Sequence, residues 1–122
     1  MLNLSTADGS AALFKLEVAD SWLARLRGLI GRSGVGRSEG LYLAGTNGVH
    51  MFFMRFPIDC VFLGAPQSDG TRQIVAVKAE LQPWRGIVWW VRGAKAAVEL
   101  TSGAAAAAGL RAGDFVRLEP AA

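Results

Sequence analysis

Ile58-Asp59-Cys60-Val61-Phe62-Leu63 is a short apolar run set between Pro57 and the turn-rich segment Gly64 to Gly70. It reads as a strand, because an apolar run of this length bounded by turn signals fits a strand buried on both faces. Working outward, further short strands are expected at Leu41–Ala44, Val49–Met54, Ile74–Leu81, Ile87–Arg92, Ala94–Leu100 and Phe115–Glu119. The signals between them are Thr46-Asn47-Gly48, Gln82-Pro83, Gly93 and Gly113-Asp114. Pro57 separates Val49–Met54 from Ile58–Leu63, since proline cannot donate to a ladder. Nearer the start, Leu13 to Val18 alternates, with Phe14, Leu16 and Val18 on one face and Lys15 and Glu17 on the other, as in a half-buried strand. Strands at this spacing predict a mainly β domain, an antiparallel sandwich or flattened barrel.

Two helical elements are expected beside the strands. From about 21 to 31, Trp22, Leu23, Leu26, Leu29 and Ile30 form one apolar stripe, and Asp20 is placed to cap the first turn. Residues 103–109 hold five consecutive alanines, Ala104 to Ala108, between two glycines. Alanine has the best helix propensity, but a segment this short forms little more than a turn, because helix nucleation is costly.

The chain has 122 residues, and its length suits a single domain over 1–122 with an ordered core from about 12 to 119. Hydrophobic types make up 52%, which excludes a disordered chain. Twenty of those residues are alanines, so the supply of large apolar side chains is ordinary. No apolar run reaches the roughly 18 residues of a membrane span. The net charge of +3 is too small to imply nucleic acid, although Arg25, Arg27, Arg32 and Arg37 cluster with no acid between Asp20 and Glu39. Cys60 is the only cysteine, so no intrachain disulfide forms. The first ten residues lack a basic start and a long apolar stretch, so no signal peptide is read and a cytoplasmic location is expected.

Few residues suggest chemistry. Gly31 to Ser38 nearly spells a phosphate-binding loop, but the order is helix, loop, strand, whereas phosphate cradling needs a strand before the loop and a helix after it. The stretch Val49 to Leu63 carries the only histidine, the only cysteine, an aspartate and two of the three methionines. His50, Asp59 and Cys60 are candidate catalytic residues, with His50 as base to a Cys60 nucleophile. A soft-metal reading would use His50, Met51, Met54 and Cys60, but Met51 and Met54 point to opposite faces of an extended strand. No metal or cofactor is therefore assigned. The competing reading is a strand pair packed on both faces, with Asp59 or Arg55 tied into hydrogen bonds and Cys60 inert.

The order Arg27-Gly28-Leu29, Gly40-Leu41-Tyr42-Leu43 and His50-Met51-Phe52-Phe53-Met54-Arg55-Phe56-Pro57-Ile58-Asp59 resembles domain of unknown function family 192. Pro83-Trp84-Arg85, Val98-Glu99-Leu100, Gly103 and Gly113-Asp114 extend the likeness, from about Phe14 to Leu118. This chain is similar to the family variant with histidine and paired phenylalanines, in place of the commoner tryptophan-methionine-lysine-asparagine-threonine run. The resemblance implies a small β-rich fold and no established activity, substrate or cofactor.

Asp59 and Glu99 match acidic positions of that family, and each would sit beside buried surface. Arg27 and Arg55 are the expected partners, pinning helix to sheet. Trp89 and Trp90 are adjacent, so on a strand they face opposite ways. Either both faces are covered or one indole is exposed; an exposed one beside Arg85 and Arg92 would resemble a binding rim. A non-catalytic binding or interaction domain is expected, with Trp84, Arg85, Trp89, Trp90, Arg55 and Glu99 as the ligand or partner residues. The partner is an unknown small ligand or protein, and the domain a monomer or weak homo-oligomer. An enzyme or soft-metal centre around His50, Asp59 and Cys60 is the alternative.

Overall fold

The computed structural model describes residues 1–19, 37–46, 48–50, 56–83, 87–88 and 90–121. Nine strands are found among them: β1 Leu2–Thr6, β2 Ala12–Ala19, β3 Glu39–Ala44, β4 Val49–His50, β5 Ile58–Leu63, β6 Thr71–Leu81, β7 Ile87–Val88, β8 Ala96–Thr101 and β9 Phe115–Pro120. A single short helix among these residues, α1 Ala104–Ala107, takes up the alanine run. The amphipathic helix expected over 21–31 and its arginines 25, 27 and 32 lie outside the described residues.

Seven of the strands close into a barrel in the order β1-β2-β3-β8-β5-β6-β9, and β4 and β7 pair separately. Strand spacing left a sandwich or a flattened barrel open, and a closed barrel is the architecture found. It has one parallel pair, β2 with β3, where antiparallel pairing was expected throughout. Parallel neighbours need a crossover of a dozen or more residues, and here residues 20–38 make that connection. Between 37 and 44 the chain passes from a turn directly into β3, so no helix follows the glycine-rich loop. The phosphate-loop context is absent on that side.

Strand alternation sorts the apolar residues into two cores. Leu4, Phe14, Leu16, Val61, Leu63, Ile74, Val98, Leu100 and Val116 come from six of the strands and fill the barrel interior. A small barrel is filled in this way by its inward side chains. Ala104, Ala105 and Leu110 belong to the same core, so α1 plugs one end of the barrel. On the outer face of β3, β8 and β5, Leu41, Leu43, Ala97, Ile58, Cys60 and Phe62 build a second core with Phe56, Val91 and Ala94. β5 is consequently buried along its whole length, on both faces. Val18 departs from its expected place with Phe14 and Leu16: it is exposed at the end of β2.

Arg72 is buried on β6. Its Nε–H donates to the Gly64 carbonyl at 2.8 Å, and Nη1 donates to the Tyr42 hydroxyl, also at 2.8 Å. The guanidinium carbon stands 5.9 Å from the centre of the Tyr42 ring, within cation–π range.

The turn joining β1 to β2 is organised by one carboxylate. Asp8 Oδ1 accepts from the Thr6 hydroxyl at 2.7 Å, the Ser10 amide at 2.9 Å and the Ser10 hydroxyl at 2.8 Å. The Ser10 amide first, then the two hydroxyls, hold its pKa down at about 2, against an ordinary value near 4. A depressed folded-state pKa stabilises the fold above the unfolded value, and the gain is lost as pH falls from about 4 through about 2. Asp8→Ala should therefore lower the melting temperature at pH 7, and the gap from the parent should close by pH 2. Parallel melts across that range check this; a gap that persists unchanged at pH 2 would refute it.

Candidate functional site

β5 decides which of the suspected residues can meet. Asp59 and Cys60 are neighbours on a strand, so their side chains leave it on opposite faces. Asp59 shares the parity of Val61 and Leu63 and points into the α1 end of the barrel. Cys60 shares the parity of Ile58 and Phe62 and points into the outer core. Those two residues therefore cannot act together on one bound group.

Both carboxyl oxygens of Asp59 are engaged by the backbone. Opposite it the ladder carries an irregularity, because Ile58 pairs with Leu81 but Cys60 with Lys78. Ala79 and Glu80 thus stand against Asp59 alone, a bulge of two residues against one. Glu80 has φ of 55°, in the left-handed region that costs a residue with a Cβ about 1–2 kcal/mol. Its amide donates to Asp59 Oδ1 at 2.9 Å, and the Ala105 amide in α1 donates to Oδ2 at 3.0 Å. Arg27 and Arg55, the arginines expected to pair with Asp59 or Glu99, lie outside the described residues. A buried aspartate joins β5, the bulge in β6 and the plug helix.

Cys60 lies in register with Glu99 on β8 and Lys78 on β6, and Glu99 in turn with Leu41 on β3. Residues directly opposite share a face, so the Cys60 thiol and the Glu99 carboxyl belong to the same outer core, and both are fully buried. Of the expected site residues, the structure brings this pair together. His50 stands in β4, paired with Ile87. The side chain of His50 and residues Arg55, Trp84, Arg85 and Trp89 are outside what is described. Trp90 is 63% exposed, beside the buried Val91.

A concave surface occurs elsewhere, where α1 meets β2. A cleft of about 330 Å³ has an apolar floor of Leu13, Phe14, Ala104, Ala107 and Ala108. Its rim is polar: Arg37 and Ser38 come from the turn before β3, and Thr101 and Ser102 from the end of β8. The Ser38 carbonyl accepts from the Lys15 amide at 2.8 Å, which fixes that turn against β2. A second hollow of about 370 Å³ shares Leu13 and Ala108 with the first, and continues over Leu110, Phe115 and Val116 to Asp114. The two hollows are neighbours at the plugged end of the barrel, with Leu13 and Ala108 lining both. Sequence reasoning missed it, because its walls come from five distant segments that only barrel closure assembles. Arg37 and Ser38 had a signal, at the end of the glycine-rich loop, but as part of a different motif.

Comparisons with known proteins bear on the fold. The family model for domain of unknown function 192, described as an uncharacterized ACR, matches residues 4–118. A crystal structure of a candidate transcription regulator from Sinorhizobium meliloti 1021 superposes with a TM-score of 0.75 at 22% identity, covering 97% of this chain and 90% of that one. A protein of unknown function from Novosphingobium aromaticivorans DSM 12444 gives 0.72 at 20% identity, covering 98% and 83%. No curated protein matches the sequence. At these identities the likeness is one of fold.

Proposed function

The chain belongs to the domain of unknown function 192 family, and from that premise we propose that it is a non-catalytic binding domain whose ligand lies in the groove between β2 and α1. The groove carries this reading. Small-molecule sites are concave, mostly apolar and furnished with a few polar groups that set orientation, and about 330 Å³ is within their usual size. The described lining of that cleft offers hydroxyls and a guanidinium, groups suited to orienting a ligand rather than to nucleophilic or acid–base work at neutral pH. The opposed directions of Asp59 and Cys60 weigh against the enzyme alternative in the form that needs both.

The test is titration with N-phenyl-1-naphthylamine, a neutral apolar dye that brightens on leaving water. The parent protein is expected to bind it at one site. Ala107→Trp, which fills the cleft from an exposed position, should abolish the signal while leaving the far-ultraviolet circular dichroism unchanged. Equal binding by this folded variant would remove the groove from consideration.

The exposed Trp90 supports a second reading, contact with a protein partner through residues 84–92, since tryptophan and arginine are enriched at interaction hot spots. The two readings separate cleanly: Trp90→Ala would leave dye binding unchanged and weaken only the protein contact.

A further inference from the structure

Resting on the groove reading, we infer that the ligand class is a free single-chain amphiphile with an anionic head, its head at Arg37 and its tail laid over Leu13 and Ala108 towards Phe115. Charge sets the polarity. Among the described residues Arg37 is the one charged side chain lining the first hollow, flanked by the hydroxyls of Ser38, Thr101 and Ser102. A guanidinium with neighbouring hydroxyl donors matches an oxyanion, and charge-assisted hydrogen bonds are about twice as strong as neutral ones. At the far end stands Asp114, which disfavours an anionic head there and fixes the direction of the tail.

Apolar surface sets the tail. Phe115 is 41% exposed, and it lines the second hollow with Leu110 and Val116. Leu13 and Ala108, both partly exposed, carry the apolar track from one hollow to the other. A bound peptide fits less well. An extended peptide gains its affinity by adding to an open sheet edge, and the strands beside this groove, β1, β2 and β9, all have neighbours on both sides in a closed barrel. An acyl or alkyl chain has no backbone groups to satisfy.

Displacement of bound dye by decanoate, decanol and decyltrimethylammonium, each below its micelle threshold, tests the assignment. Decanoate should bind about tenfold more tightly than decanol, and the ammonium compound most weakly. Arg37→Gln, at an exposed position the fold does not need, should bring decanoate and decanol to parity. Phe115→Gln should weaken both to the same degree. If decanol equals decanoate in the parent protein, or the ammonium compound binds as well, the head assignment is overturned while the groove reading stands. If the dye itself does not bind, the groove reading fails first. Sedimentation with phosphatidylglycerol vesicles is the last arm: protein that pellets with them would overturn the inference in favour of a membrane surface, and protein left in the supernatant supports it.

Discussion

Asp59→Ala is expected to cost the barrel about 2–4 kcal/mol, visible as a lower urea midpoint with an unchanged slope. Two backbone amides, of Glu80 and Ala105, lose their acceptor. A buried amide left without a partner costs about 1–3 kcal/mol, and only the Ala105 bond is fully enclosed, so the lower part of the doubled range applies. Asp59→Asn should recover part of the loss, because one carbonyl can still accept while its NH2 group confronts the other amide. The loss should be local before it is global. Amide exchange at Ala105 should accelerate more than at Val61, and dye affinity should fall because α1 forms one wall of the groove. A change under about 0.5 kcal/mol would mean that Asp59 is not the clamp described.

Gly40→Ala is the second large effect, expected at about 2–3 kcal/mol from overpacking. Gly40 is buried in β3 between Leu16 on β2 and Leu100 on β8. A Cβ there would stand 2.7 Å from the Glu99 carbonyl oxygen and from Leu100 Cδ2, and 2.8 Å from Leu16 Cδ2. The leucine ends could turn aside, but the carbonyl oxygen belongs to the ladder and cannot move without opening the β3–β8 pair. The glycine answers a need for space rather than for an unusual backbone angle. Gly45→Ala is the matched comparison, since no atom lies within 4 Å of the added methyl and only its positive φ of 68° opposes it. If the two variants lose stability equally, close packing at Gly40 is not what selects glycine.

The β-rich class was legible because its signals are local. Ile58–Leu63 is bounded by Pro57 and Gly64, and β5 has those bounds. The alanine run between Gly103 and Gly109 became the short helix expected of it. β1 was not legible: Leu2 and Leu4 alternate with polar residues over too few positions, and that strand is held by pairing with β2 and β9 from distant sequence. β6 begins at Thr71 rather than Ile74, because pairing of Thr71 to Gln73 with β9 extends it beyond its apolar residues. The site was harder still. Sequence proximity suggested that Asp59 and Cys60 act together, yet strand geometry separates adjacent side chains. The groove depends on Leu13, Arg37, Thr101 and Phe115 converging, a consequence of closure that no local pattern encodes.

Closure itself has a kinetic consequence. The first and last strands of the barrel are each other's neighbours, β1 with β9, and the Ala121 amide reaches the Met1 carbonyl at 3.0 Å. During synthesis the growing chain must therefore carry open ladders on β1 and β6 until β9 leaves the ribosome. Contacts of such long sequence separation slow folding, and unpaired edges invite association between chains. The vulnerable period for this protein is its birth, and a break anywhere before β9 leaves two adhesive rims instead of a sealed cylinder.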